Sequence, residues 1–553
     1  MVDERRGSDA PQPKGWSWRD RARGSVISAV ALDPGTEPLD GVEAFQTVYV
    51  PHRLLISLAP EEKELEREGG PFSRVRGAAR AFGWDVVAEK LDGSDLEQGE
   101  IPAARLPGAP RLLRVRLTTP DERTRGISPA LPDAWRVLQQ VRRDALQGEA
   151  VRGRDGEVDV AASLRAAGVD RVGLDHVLAV DPIGVNPFTK TNPFTKTNPF
   201  TKTNPYTKTN PVGEYAEDGS GGRQPVAWVG AAPLRTAFPG DRRRPVVAVL
   251  DTGAGVHDWL PDDIVDRHVE IDGRPVGLDD EANPEIYPDL YGPLDGQLDD
   301  VAGHGTFIAG IVRQAAPDAD ILAIRVADAL GMVEESNLLA VVEDLGVLAY
   351  RHSRGEEGGR PIDVVSMSLG YYHETPQDGL YTRDLYDLLT VLRDLGTTVV
   401  VSAGNDAIDR PTFPASLWPW PGCDNGLLPD GGAPHISVGA LNPDRRTTAL
   451  FSNIGPWVRT YAVGAAVVST LPDFFGGLQA SARDDQYERE RLTIGPEDFR
   501  GGFAVWSGTS FAAPLVAGRV AAALPPLPIE PVPAEKAVPT ACEVVEKVLG
   551  AAS

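Results

Sequence analysis

Lysine is scarce in this chain, with nine among 553 residues. Four of them, Lys190, Lys196, Lys202 and Lys208, crowd into one short segment, and none lies between Lys208 and Lys536. Cysteine is scarcer still: Cys423 and Cys542 are too few for a disulfide framework. No apolar run reaches the length of a membrane-spanning helix, so no membrane partner is expected. A secretory leader is not expected, because the short apolar patch at 25–32 is followed by Asp33 and Pro34 and not by a small-residue cleavage site. A cytoplasmic location is therefore expected, with secretion as the alternative. Positive charge is in deficit as well. The net charge is −25, and residues 224–553 carry 24 basic against 47 acidic side chains, which makes nucleic acid an unexpected partner.

Glycine and proline are plentiful, at 58 and 48 residues, and imply many turns and long loops. Between those turns the apolar pattern divides the chain. Residues 1–43 are polar. Residues 44–182 alternate short strands (53–58, 112–117, 172–180) with helices (74–82, 132–146), an α+β unit. Residues 225–525 alternate buried strands (246–250, 321–326, 363–367, 398–401, 436–438) with helices (304–315, 335–351, 382–395, 509–524), as a parallel sheet flanked by helices requires. The tail, 526–553, is Pro-rich and then helical from about Pro539.

Three residues in the second unit carry chemistry. Asp251 ends the apolar run 246–250 and begins Asp251-Thr252-Gly253. His304 stands in Gly303-His304-Gly305-Thr306, and Ser510 in Gly508-Thr509-Ser510-Phe511-Ala512-Ala513-Pro514. A serine hydroxyl is a poor nucleophile at neutral pH, so an imidazole must take its proton, and a carboxylate must hold the imidazole and stabilise the imidazolium. Asp-Thr-Gly alone also occurs in aspartic proteases, but those need two such aspartates and one is present. The histidines at 52, 176, 257, 268, 352, 373 and 435 lack a comparable setting and are expected at the surface or in structural roles.

The order Asp, His, Ser in these motifs resembles the subtilisin-like serine proteases, over about residues 225–524. The resemblance implies Asp251, His304 and Ser510 as the catalytic triad. Within Val401-Ser402-Ala403-Gly404-Asn405 it implies Asn405 as the oxyanion-hole side chain, and Ala403 and Gly404 as substrate-binding. It also implies that Ser366-Met367-Ser368-Leu369-Gly370 is the edge that pairs with an extended peptide, with Ser368, Leu369 and Gly370 contacting substrate. The fold implied is a subtilisin-like α/β domain, and the substrate a protein or peptide. No cofactor is required for that chemistry. The N-terminal unit is similar in layout and position to the small ferredoxin-like prodomains of this family, and a protein-recognition domain is the alternative. A different class of function is a signalling or regulatory protein whose protease is held inactive by that unit until a partner releases it.

Two segments depart from the family pattern. Residues 258–300, between the triad Asp and His, hold 14 acidic residues against Arg267 and Arg274. They read as a solvated acidic loop, with a structural calcium site or a rim attracting basic substrates as alternatives; the metal content is unknown. After Phe413-Pro414-Ala415-Ser416, which resembles the approach to the first specificity pocket, an insertion brings Trp418, Trp420, Cys423 and Asp424. Asp424 would select a basic residue there, or the tryptophans would simply cap the fold.

The linker 183–224 contains Asn-Pro-Phe-Thr-Lys-Thr from Asn186, repeated from Asn192 and Asn198 and, with Tyr206, from Asn204. A proline in every unit denies helix and central strand, so an extended tether is expected, reaching roughly 80 Å at about 3.1 Å per residue. Arg-rich, Lys-poor usage follows from genome base composition, or the tether is the enzyme's own substrate, cut beside a repeat lysine.

Overall fold

The computed structural model describes residues 27–180 and 222–550, except 60–61, 98–99, 121–129, 149, 154–155, 228, 291–296, 377–379, 424, 477–479 and 481. The hexapeptide repeat and Asp424 lie outside the described residues.

The first unit contains Val48–Leu58 (β1), Pro71–Ala81 (α1), Asp85–Glu89 (β2), Arg111–Thr118 (β3), Ala134–Gly148 (α2) and Val172–Val180 (β4). Its strands lie in the order β4-β1-β3-β2 with antiparallel neighbours, the split βαβ layout of a ferredoxin-like sheet. Trp135, Leu138, Val141 and Ala145 recur at helical spacing on α2 and bury against the sheet with Leu54, Ile56, Leu113 and Val115. β2 was not foreseen in the sequence. Asp85-Val-Val-Ala-Glu has no apolar alternation and becomes a strand by pairing with β3.

The second unit runs through Val246–Asp251 (β5), Val265–Asp266 (β6), His304–Ala315 (α3), Asp320–Arg325 (β7), Met332–Glu334 (β8), Glu335–Arg354 (α4), Val364–Met367 (β9), Leu369–Gly370 (β10), Asp384–Asp394 (α5), Thr398–Ser402 (β11), His435–Leu441 (β12), Thr460–Val463 (β13), Val467–Thr470 (β14), Phe503–Trp506 (β15), Thr509–Ala523 (α6) and Ala534–Gly550 (α7). Seven strands form one parallel sheet in the order β13-β12-β11-β9-β5-β7-β6. β5 is buried along its whole length, and its side chains alternate between two layers. Ala248 and Leu250 join α4 and α5, while Val247 and Val249 join α3 and α6. Burial on both faces is why these strands read as continuous apolar runs. Because β5 has neighbours that connect in opposite directions, its carboxyl end opens onto the crevice where α/β sheets hold their ligands.

The tail helix begins at Ala534, five positions before the expected Pro539, which lies inside it; Ala541, Val544 and Val545 are its buried anchors. The second unit also begins earlier than its apolar pattern suggests. Arg223 is fully buried, donates to the carbonyls of Asp299 and Ala302 and lies 5.0 Å over the Trp506 ring.

The two units share a sheet. The end of β4 lies antiparallel between β8 and β10, with Leu178 opposite Val333, Ala179 opposite both Met332 and Gly370, and Val180 opposite Leu369. Val180 N–H donates to the Gly331 carbonyl at 2.7 Å.

Candidate active site

The carboxyl end of β5 delivers Asp251, and α3 opens with His304. Both are fully buried, and Asp251 Oδ1 lies 2.7 Å from His304 Nδ1. The same oxygen accepts Thr252 N–H at 2.8 Å. The turns that carry them touch backbone to backbone: a Cβ on Gly305 would stand 2.0 Å from the Gly253 carbonyl oxygen, so no side chain fits there. Trp506 meets the His304 ring edge-on at 5.4 Å, and Phe511 packs on it at 5.3 Å. These aromatics come from the residues flanking Ser510, so the imidazole is held beside the first turn of α6. His304 Nε2 is buried and makes no hydrogen bond among the described residues.

Ser510 is buried at the start of α6, and its carbonyl accepts the Ser368 hydroxyl at 2.9 Å. Asn405 follows β11. Its Oδ1 accepts the Thr509 N–H at 2.8 Å and the Thr509 hydroxyl at 2.9 Å, which fixes the orientation of the amide. With the oxygen so engaged, Nδ2 stands 3.6 Å from where a Cβ on Gly508 would be. Gly404 has φ 99° and donates to the Thr509 hydroxyl at 3.1 Å. A Cβ there would lie 2.5 Å from Asn453 Nδ2, which itself donates to the Ala403 carbonyl at 2.9 Å. Asp251, His304, Asn405 and Ser510 therefore converge at the carboxyl ends of β5 and β11. Ser368 joins them, while Leu369 and Gly370 lie one step away on β10, paired with β4.

Sequence reasoning missed two groups. Glu285, inside the stretch read as a solvated acidic loop, is 2 % exposed and hydrogen-bonds Thr252, Gly305 and Thr306. No local pattern distinguishes it from the thirteen other acidic residues around it. The second group spans the two units. His176, on β4, places Nδ1 2.6 Å from Glu335 and Nε2 2.7 Å from Glu374. Burial lowers its pKa, but the two carboxylates outweigh burial and raise it to about 10, so this is an imidazolium between two anions. His373, whose ring meets that of His176 tilted at 4.7 Å, is pushed down to about 3 by burial, and its Nδ1 accepts the Thr375 N–H. His176, His373 and Glu374 are the group of ligand-type atoms close enough to hold a cation among the described residues. Both nitrogens of His176 are already engaged by carboxylates, so the arrangement is satisfied as an ion pair. Asp175, also on β4, caps α4 by accepting from Ser336 N–H and hydroxyl at 2.9 Å each.

The insertion after Ser416 packs onto the second unit. Trp418 Nε1 donates to the Trp457 carbonyl at 3.0 Å, Arg459 lies over its ring, and Trp420 packs against the core. Cys423 and Cys542 are both unbridged.

A family model described as the subtilase family matches residues 242–535, more than half the chain. The chain is 29 % identical over 287 residues to a protein named intracellular serine protease from Paenibacillus polymyxa, covering 50 % of this chain and 65 % of that one. It is 28 % identical over 284 residues to serine protease AprX of Bacillus subtilis, covering 49 % and 57 %. It thus spans less than two thirds of the length of these relatives. A solved cold-adapted subtilisin-like serine proteinase aligns at 22 % identity and a TM-score of 0.32, over 60 % of this chain and 89 % of that one.

Proposed function

The chain belongs to the subtilase family, and on that premise we propose that it is a serine endopeptidase whose nucleophile is Ser510, held in check by its own first unit. The observation that carries the reading is the fully buried 2.7 Å pair of Asp251 and His304 beside the first turn of α6. In the reaction, Ser510 Oγ attacks the peptide carbonyl as His304 Nε2 takes its proton. Asp251 accepts from Nδ1–H and stabilises the imidazolium. The oxyanion receives hydrogen bonds from the Ser510 N–H and Asn405 Nδ2. His304 then protonates the leaving amine, and water hydrolyses the acyl-enzyme by the same steps in reverse.

An extended peptide would bind between β8 and β10 by main-chain hydrogen bonds. The end of β4 already lies there, which supports intramolecular restraint and favours the gated form of the enzyme over a constitutive one. The relative named for an intracellular protease supports action inside the cell. The repeat 186–211, tethered just beyond β4, is the nearest peptide in the same chain, and its four lysines support it as a self-processing site.

Incubation of the purified chain with an unfolded protein, followed by mass spectrometry of new termini, tests the reading. Cleavage that disappears in Ser510→Ala is expected, with chain termini inside 186–211 for self-processing. An unfolded substrate left intact after removal of the first unit would refute the endopeptidase, and an uncut repeat in active enzyme would refute self-processing alone.

A further inference from the structure

The enlargement between the triad Asp and His is tied down beneath the triad. Arg325 is opposite Asp251 in the register of β7 on β5 and is 6 % exposed. Its guanidinium donates to the carbonyls of Ala282 at 2.8 Å, Asp280 at 2.7 Å and Leu278 at 3.2 Å. That grip brings the next turn, and Glu285 with it, into the core.

There the two carboxylate oxygens divide their work. Oε1 accepts the Thr252 hydroxyl at 2.5 Å and Gly305 N–H at 2.9 Å, and Oε2 accepts the Thr306 hydroxyl at 2.5 Å. Each hydroxyl also accepts from the opposite turn: Thr252 Oγ1 takes Gly305 N–H at 2.8 Å, and Thr306 Oγ1 takes Gly255 N–H at 2.6 Å. The turn after Asp251 and the turn that carries His304 are thus laced through two threonines whose protons both end on one carboxylate.

A hydroxyl has a single proton, and this decides what Glu285 does for its neighbours. The other acceptor near Thr252 Oγ1 is Asp251 Oδ1 at 3.1 Å, the oxygen that pairs with His304 Nδ1. With Glu285 at 2.5 Å the proton goes to Glu285. Without it, the proton would turn to Asp251 and compete with His304 for the same lone pairs.

We propose that Glu285 is a positioning residue for the Asp251–His304 pair, keeping the Thr252 proton off Asp251 and setting a second negative charge behind the imidazolium. This deepens the endopeptidase reading and rests on it for its meaning in turnover. The charged groups whose fields reach Glu285 are Asp251 on β5, Arg223 ahead of the second unit and Arg267 in the loop after β6. Arg223 is spent on the backbone carbonyls of Asp299 and Ala302, and Arg267 on those of Gly255 and Leu260 and on the Asp262 carboxylate at 2.8 Å. Burial raises the Glu285 pKa, opposed by its hydrogen bonds from Thr252 and Thr306.

The test is a titration of histidine side-chain nitrogens by NMR in the full chain carrying Ser510→Ala, with His304 assigned by its loss in His304→Ala. It needs no turnover, so its outcome is separate from that of the endopeptidase reading. With Glu285→Gln the His304 midpoint should fall by about one pH unit, tenfold in proton affinity. Glu285→Asp keeps the charge but reaches only one threonine, and should lower the midpoint about half as far; it also serves if the Gln variant does not fold. With Ser510 present, Glu285→Gln should lower kcat about tenfold with KM unchanged. A His304 midpoint that stays in place in whichever variant folds, with only the melting temperature altered, would overturn the proposal.

Discussion

The interior of the parallel sheet and the seam between the two units are both buried, yet they are made of different material. Around β5 the packing is aliphatic and aromatic, with the side chains of α3, α4, α5 and α6 filling both faces. At the seam, Leu55, Leu178 and Val180 bury against the second unit, but so do charges that find partners across the boundary. His176 needs Glu335 and Glu374. Arg142 of the first unit donates to the Leu380 carbonyl at 3.0 Å, and Arg53 lies 2.5 Å from Glu334. An apolar core has nothing to regain by opening. A charged seam does, because water can solvate each group once the units part. The contrast fits the function proposed above, in which the second unit is a permanent scaffold for chemistry and the first a removable stopper.

The largest effect should come from the scaffold side. Ser510→Ala should lower peptide hydrolysis by about 10⁴- to 10⁶-fold, the range known for triad losses in subtilisin itself. Asn405→Ala should cost about 100- to 1,000-fold in kcat, again the subtilisin figure, with little change in KM. A KM effect of that size would instead assign Asn405 to substrate binding. On the seam side, His176→Ala leaves Glu335 and Glu374 buried without their shared cation. Removing one partner of a buried pair costs about 3–5 kcal/mol. The variant should therefore release the first unit more than a hundredfold more readily, seen as faster proteolysis of residues 44–182 and faster hydrolysis by the second unit. Equal behaviour of wild type and variant would erase the distinction between seam and core.

The smallest expected effect is that of pH, and its direction follows from His176. Its pKa rises from the ordinary 6.5 to about 10 on docking, so its contribution is fully present below about pH 6.5 and fades as pH climbs towards 10. Release of the first unit should accelerate about tenfold between pH 7 and 8 in the wild type and remain flat in His176→Ala. A rise of the same size in both would assign it to another group.

How much of this was visible beforehand follows the same divide. Strands buried on both faces announce themselves as apolar runs, so β5, β7, β9 and β11 were legible to within a residue or two. The candidate residues in Asp251-Thr252-Gly253, Gly303-His304-Gly305-Thr306 and Gly508-Thr509-Ser510 sit in short glycine-bounded turns whose chemistry is local, and the structure brings them to one region of the sheet. Glu285, His176 and Asp175 were not legible, because each owes its role to partners far along the chain. His176 and Glu374 are 198 positions apart, and Asp175 caps a helix 161 positions away. The short strand β8 was equally hidden, since it exists by pairing with β4, whereas β10 falls in the edge that the family resemblance implied.

A competent Ser510 stoppered by β4 should show itself in reaction with a fluorophosphonate probe, followed by mass spectrometry of the intact chain. One adduct on Ser510 is expected, absent in Ser510→Ala, forming slowly in the wild type and at least a hundredfold faster in His176→Ala. A His176→Ala protein that folds and still forms no adduct on Ser510 would contradict the account.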